Sequence, residues 1–231
     1  MSIAENVKLV RANIARAAIA AGRDPKEILL IGATKMNDAA RVKEAVAAGL
    51  PACGENRVQE LLEKNARGAY EGAELHFIGS LQRNKVKYLV GTVKLIHSVD
   101  SLALMREIDR QAGKRGIVQD ILLEINAAGE ASKSGFAPEA LPQMLAAASE
   151  FSALRVRGLM TIPPICRRPE ENLPYFLLLK KLFVDNGEEK YDNVRMDFLS
   201  MGMSGDYEAA VACGANMVRV GTAIFGRRVY A

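Results

Sequence analysis

No stretch of this 231-residue chain approaches the roughly 18 consecutive apolar residues that a membrane-spanning helix needs. The N-terminus, Met1-Ser-Ile-Ala-Glu-Asn6, lacks a basic segment followed by an apolar block, so no secretory signal is expected. Cysteine is scarce: Cys53, Cys166 and Cys213 are odd in number and far apart. That pattern excludes a disulfide framework and offers no metal-ligand spacing, so the expectation is a reducing cytoplasm and no metal site. Tryptophan is absent. The basic residues are scattered, with small clusters at Arg83 to Lys94, Arg167-Arg168 and Arg227-Arg228. A net charge of +4 distributed in this way reads as a solvated surface with a few anion-binding residues, not as a nucleic-acid face. No Pro-, Gly- or Ser-rich linker and no low-complexity segment divides the chain, so one domain is expected over residues 1–231.

What is present is a repeated alternation. Hydrophobic residues make up 49%, enough for a sizeable core and too many for global disorder. Ile3, Val7, Val10, Ile14, Ala17 and Ala21 recur at steps of three and four, an amphipathic helix ending near Gly22. The run from Ile28 to Lys35 is apolar almost to its end, as in a strand buried on both faces. Further strands are expected at 51–56, 74–79, 93–98, 117–125, 154–160, 194–200 and 216–220. Helices are expected over 38–48, 58–66, 84–90, 100–113, 138–151, 170–185 and 206–213. Strand and helix alternate about eight times, which predicts parallel βαβ units. Right-handed crossovers and that count favour an α/β fold closed into a single (β/α)8 TIM barrel, with the first helix an extra element packed on it. An open doubly wound sheet is the competing architecture.

The residues that could carry chemistry fall at predicted strand ends. The stretches Phe198 to Asp206 and Asn216 to Gly226 each read as a short apolar strand running into a turn of small residues. Two such junctions side by side would bare backbone N–H groups and form a phosphate cradle. In a barrel, that cradle is often built from the loops after the seventh and eighth strands. Lys35 closes the first strand after seven uncharged residues. Taken alone, the position suits a solvated lysine. A lysine short of solvation has a lowered pKa and can attack a carbonyl to form a Schiff base. Beside a phosphate cradle it points either to a sugar-phosphate aldolase or to pyridoxal 5′-phosphate.

Period-two alternation puts Met217, Arg219 and Gly221 on one face of the last strand. If Val218 and Val220 pack on the helices, Arg219 points into the barrel mouth. A buried cation there needs a partner: a carboxylate, the phosphate, a heteroaromatic nitrogen, or an ion pair with Asp197 or Glu55. Asn56 suits either a ring hydroxyl or a plain turn. His76 and His97 read as core histidines with one satisfied nitrogen, Glu124 as an interior carboxylate with no nameable partner, and Lys133 as a solvated loop lysine or an anion contact. No cysteine sits in a nucleophilic triad pattern.

The stretches Ala33-Thr-Lys35, Gly54-Glu-Asn-Arg-Val-Gln-Glu60, His76-Phe-Ile-Gly79 with Leu81-Gln82 and Asn84-Lys85, and Ser98-Val-Asp-Ser101 form a recognisable set. To it belong Asn126 with Ser132-Lys-Ser-Gly135, Gly158-Leu-Met160, Leu199-Ser-Met-Gly-Met-Ser204 and Val218-Arg-Val-Gly-Thr-Ala-Ile-Phe-Gly226. Together they resemble the pyridoxal phosphate homeostasis proteins (the YggS/PROSC type), which are related to the N-terminal barrel of alanine racemase. The resemblance spans nearly the whole chain. It implies a cytoplasmic protein that carries pyridoxal 5′-phosphate (PLP) as a Schiff base on Lys35 and serves PLP homeostasis without robust catalysis. No catalytic residue is assigned on that basis. Ser200, Met201, Gly202, Gly221 and Thr222 would bind the phosphate, Arg219 would face the pyridine nitrogen, and Asn56 would lie near the ring. An arginine beside that nitrogen disfavours its protonation and makes the ring a poorer electron sink.

Racemases built on this barrel also use a tyrosine base from a second, β-rich domain, whereas this sequence ends at Ala231. The enzyme alternative is a weak PLP-dependent amino-acid racemase. Expected partners are PLP, amino acids and, transiently, PLP-dependent enzymes, with the chain a monomer that binds neither nucleic acid nor membrane. Cys53 and Leu75 depart from the family, which often carries aromatics there. The expected effect is looser local packing, with every group that would touch the cofactor kept.

Overall fold

The computed structural model describes residues 1–130, 133–187 and 190–226; Ser132 and the Arg227-Arg228 pair lie outside them. Eight parallel strands close into a barrel in chain order. They are β1 (Leu29–Ala33), β2 (Ala52–Glu55), β3 (Glu74–Phe77), β4 (Leu95–Val99), β5 (Gln119–Glu124), β6 (Leu154–Met160), β7 (Val194–Ser200) and β8 (Met217–Val220). The helices are α1 (Ile3–Ala20), α2 (Ala39–Ala47), α3 (Val58–Ala66), α4 (Val86–Leu89), α5 (Leu102–Lys114), α6 (Leu141–Ala148), α7 (Leu173–Asp185), α8 (Tyr207–Ala212) and α9 (Thr222–Phe225). The expected (β/α)8 barrel is the observed one, and β8 returns to pair with β1. The doubly wound alternative, which would leave two open sheet edges, is excluded.

Two apolar layers explain the closure. Ile31, Ala52, Leu95, Leu122, Met160 and Met217 point inward and fill the barrel. Val218, Val220, Ile96, Leu123 and Leu199 point outward and meet the helices. Each such side chain contributes about 1.5–3 kcal/mol when fully buried. In β8 the alternation sends Met217 and Arg219 to the inner face, opposite Leu29 and Ile31 of β1. Cys53 is fully buried and Leu75 nearly so, both in the outer layer.

Element ends differ from the sequence reading in small ways. β1 stops at Ala33, so Lys35 stands in the loop beyond the strand. The helices expected from 84, 138 and 170 each begin with a 3-10 turn before α4, α6 and α7. Pro174 occupies the first turn of α7, where its missing N–H leaves no helical bond unmade. The short α9 follows β8 where the sequence predicts a turn of small residues.

The extra N-terminal helix packs where the site is built. Ser2 and Glu5 form a reciprocal capping box at its start. Asn6 Nδ2 donates to the Ile224 carbonyl at 2.9 Å and Asn13 Nδ2 to the Tyr207 hydroxyl at 3.0 Å. Helix α1 thus braces α8 and α9, the two elements that follow β7 and β8.

Candidate cofactor-binding site

A cleft of about 420 Å³ opens at the carboxyl ends of β1, β7 and β8. Lys35, Arg41, Ser204, Gly205, Arg219, Gly221 and Thr222 are among the residues of its wall. Four of the eight residues singled out in the sequence therefore line one cleft: Lys35, Arg219, Gly221 and Thr222. Lys133 is exposed and lies outside it.

The backbone around Lys35 is clamped from behind. Thr34 is fully buried, and its hydroxyl donates to Glu55 Oε1 at 2.6 Å. The Thr34 carbonyl accepts from Lys64 Nζ at 2.8 Å. On the other side, Met36 adopts a left-handed φ of 61°, a conformation that costs a non-glycine residue energy and must be held by its surroundings. The Met36 N–H donates to Glu60 Oε2 at 2.8 Å. Lys64 Nζ also meets Glu55 at 2.6 Å and Glu60 at 3.2 Å. One buried ammonium therefore ties together both neighbours of Lys35. Tyr70 completes the cluster by donating to Glu55 Oε1 at 3.1 Å. The adjacent Cys53 thiol is pushed up to about 12 by burial and by the Glu55 charge, so it is no nucleophile at neutral pH.

The loop after β7 turns on Gly202, whose φ is 90°; a Cβ there would lie 2.6 Å from the Ala210 side chain. Asp206 braces the same loop, accepting the Met203 N–H at 2.6 Å and Asn172 Nδ2 at 2.7 Å. The Ser204 hydroxyl oxygen accepts the N–H of Gly221 at 3.1 Å and that of Ala223 at 3.3 Å. A rotatable oxygen from one junction thus sits on two backbone donors of the other, as an anion would. Ser204 belongs to the small-residue stretch read as the cradle, but nothing in the sequence singles out its hydroxyl for this role. Nor does anything there single out Arg41. It lines the cleft and donates to the Phe225 carbonyl, and a helix position 184 residues away carries no local signal for that.

Three of the residues expected at the phosphate, Ser200, Met201 and Gly202, do not line the cleft. The Ser200 side chain is fully buried, and its oxygen is engaged by Arg219 and His97. The Met201 N–H donates to the Met217 carbonyl at 3.1 Å, so it is committed to the sheet. The reason is geometric: the chain is still in the closed barrel at 200–201, and the turn begins only at Gly202.

Arg219 is 4% exposed. It donates through Nη1 to Ser200 Oγ and through Nη2 to the Thr161 carbonyl at 2.8 Å. The two acids considered as ion-pair partners are engaged elsewhere, Asp197 by Arg157 at 2.5 Å and Glu55 by Lys64 at 2.6 Å. Burial lowers the guanidinium to about 10 against the opposing pull of Glu124 and Asp206, so it stays cationic at neutral pH. Burial and the Asp100 charge raise Glu124 to about 7, against the pull of Arg219. His76 and His97 each have both ring nitrogens engaged, not one.

Asn56 follows β2. Ala33 pairs with Gly54 across the sheet, so Lys35 and Asn56 each stand two residues past that pair. Asn56 Oδ1 is buried and lacks a hydrogen-bond partner. Its backbone rests on Gly79, where a Cβ would come within 2.3 Å of the Asn56 carbonyl.

The alanine racemase N-terminal domain family matches residues 6–229. A protein of Aquifex aeolicus (strain VF5) named pyridoxal phosphate homeostasis protein is 44% identical over 230 residues, covering 100% of both chains. The protein of that name from Pseudomonas aeruginosa is 44% identical over 99% of this chain and 97% of its own. The solved structure of PipY from Synechococcus elongatus PCC7942, with PLP bound, superposes with a TM-score of 0.84 at 34% identity, over 97% of this chain and 100% of that one. An alanine racemase of Clostridium difficile 630 superposes at 0.75 with 15% identity and over 57% of its own length, which is likeness of fold alone. This chain belongs to the pyridoxal phosphate homeostasis protein family, on the barrel of the alanine racemase N-terminal domain.

Proposed function

We propose that this protein binds pyridoxal 5′-phosphate in the cleft and serves its homeostasis, as a carrier with no robust turnover of its own. The observation that carries this reading is that Lys35, Arg219 and the two small-residue junctions line one cleft. The donor set fits the group. It holds one amine, a loop pair whose N–H groups now rest on a serine hydroxyl, and a buried cation, while the orphaned amide oxygen of Asn56, an acceptor, lies outside the cleft wall.

When bound, PLP would supply an aldehyde that a primary amine captures reversibly. Lys35 is the amine that would hold it, on a backbone that Lys64 and Glu60 keep in place. The N–H groups of Gly221 and Ala223, with Ser204 and Thr222, would bind the phosphate. Asn56 would lie beside the ring, and Arg219 would face its nitrogen. A guanidinium that stays charged disfavours a second positive charge on that nitrogen. This favours carriage over carbanion chemistry, for which the ring must be a strong electron sink.

The names of the relatives describe a homeostasis protein rather than a catalyst. Among the described residues no helix is long and apolar enough to cross a membrane. We read residues 1–231 as one PLP-binding domain of a monomeric cytoplasmic protein. It would exchange the cofactor with amino acids and, transiently, with PLP-dependent enzymes.

The test is a visible spectrum of the protein after incubation with PLP, before and after borohydride. A yellow protein that borohydride bleaches with retention of the label is expected, and Lys35→Ala should show neither the band nor the label. A band undiminished in Lys35→Ala would reject the reading. Formation of D-alanine from L-alanine near one turnover per second, a typical enzymatic rate, would favour the racemase instead.

A further inference from the structure

A chain of hydrogen bonds crosses the barrel interior behind the cleft. Arg219 Nη1 donates to Ser200 Oγ, and Ser200 Oγ lies 2.9 Å from His97 Nδ1. His97 Nε2 lies 2.9 Å from His76 Nδ1, and His76 Nε2 lies 3.2 Å from Glu74 Oε2. Glu74 in turn pairs with Lys94. His76, His97, Ser200 and Arg219 are all buried. Glu74 is not: it lies at the start of β3 and lines a cavity with Lys94, Asp120 and Arg157. The chain therefore connects the cleft to the opposite mouth of the barrel, using β8, β7, β4 and β3 in turn.

Its direction is forced by the ends. A guanidinium only donates, so the Ser200 oxygen accepts from Arg219; the carboxylate at the other end, read back through two neutral rings, leaves His97 Nδ1 as an acceptor, and the hydroxyl proton goes to it. His97 then carries its proton on Nε2 and gives it to His76 Nδ1. His76 carries its own proton on Nε2 and gives it to the Glu74 carboxylate, which only accepts. The opposite polarity would set a ring lone pair against that carboxylate, or need an imidazolium in the core. Burial opposes the second option, since it depresses both rings below the ordinary histidine value.

We infer that Ser200, His97 and His76 are positioning residues for Arg219, a one-way donor chain ending on Glu74 that fixes how the guanidinium presents its remaining N–H groups to the cleft. This rests on the reading of Arg219 as the partner of the ring nitrogen. It extends that reading, because charge at the far mouth reaches the cofactor site through aligned dipoles.

The test has two arms. In the unloaded protein, nitrogen-15 NMR reads the tautomer of each imidazole. Both rings are expected in the Nε2–H form at neutral pH. Ser200→Ala, nearly isosteric, should move the His97 Nδ1 signal. Glu74→Ala, at the solvent end, should move the His76 signals and, through them, those of His97. In the second arm, the same proteins are loaded with pyridoxal 5′-phosphate. Both variants should shift the visible band, and Ser200→Ala should hold PLP about tenfold more weakly, the loss of one hydrogen bond to a charged group.

An Nδ1–H tautomer on either ring, or His97 signals untouched by both substitutions, would overturn the chain itself. Altered tautomers with an unchanged band and unchanged PLP retention would overturn the positioning role and leave the PLP site standing. A wild-type protein that takes up no PLP would defeat the functional reading and this inference with it, whatever the tautomers.

Discussion

Lys64 Nζ stands 2.8 Å from the carbonyl oxygen of Thr34, the residue that precedes Lys35. The same ammonium is 2.6 Å from Glu55, which is fully buried. The lysine proposed to carry the aldehyde is thus placed by a second lysine, which holds the Thr34 carbonyl directly and the Met36 N–H through Glu60.

Removing that ammonium should be costly. Lys64→Met leaves Glu55 buried without its counter-charge, and breaking such a pair typically costs about 3–5 kcal/mol. The double variant Lys64→Met with Glu55→Gln should recover a large part of this, because no unpaired charge remains. Urea unfolding of the two single variants and the double variant measures the coupling. A Lys64→Met protein as stable as wild type would refute the clamp.

Gly202→Ala should lose stability by about 1–3 kcal/mol, since the residue must hold a left-handed φ and its new Cβ would press on Ala210 at 2.6 Å. Gly205 in the same loop has open space around its Cβ position, so Gly205→Ala should stay within about 0.5 kcal/mol of wild type. Thermal melts of the pair separate a loop-wide effect from one set by the backbone at 202.

Glu124 gives a pH dependence with a defined sign. Its folded value is about 7, raised by burial and by Asp100 and opposed by Arg219. The unfolded chain titrates near 4.3, about the usual glutamate value. The folded state therefore binds this proton more tightly. The stability it adds is full below that range and is lost as pH rises through 7, at no more than about 1.4 kcal/mol per unit. Unfolding of wild type and Glu124→Gln should diverge between pH 5 and pH 8, with the downward slope shallower in the variant. Parallel curves would show that Glu124 is ionised throughout.

Arg219→Gln should still take up PLP and colour, since Lys35 and both junctions remain. Without the cation, a ring nitrogen at that place is easier to protonate, and reaction of the loaded protein with L-alanine should become severalfold faster. Stopped-flow absorbance would follow it. A response indistinguishable from wild type would remove Arg219 from the ring nitrogen.

The sequence by itself determined the eightfold alternation of strand and helix and the strand ends that carry Lys35 and Arg219. Strand and helix periods are local properties, so apolar runs ending at 33 and 220 place Lys35 and Arg219 at the same end of neighbouring strands. The glycines and serines of the last two junctions were legible for the same reason. The tertiary structure alone decided which groups hold them. Lys64 meets a carbonyl 30 residues away, and Ser200 meets a histidine 103 residues away. It also decided that Ser204, not Ser200, reaches the backbone donors after β8. The first is past the end of its strand and the second is still within it. A hydrogen bond depends on a few tenths of an ångström and on which face of a strand is turned inward, and only the closed barrel sets both.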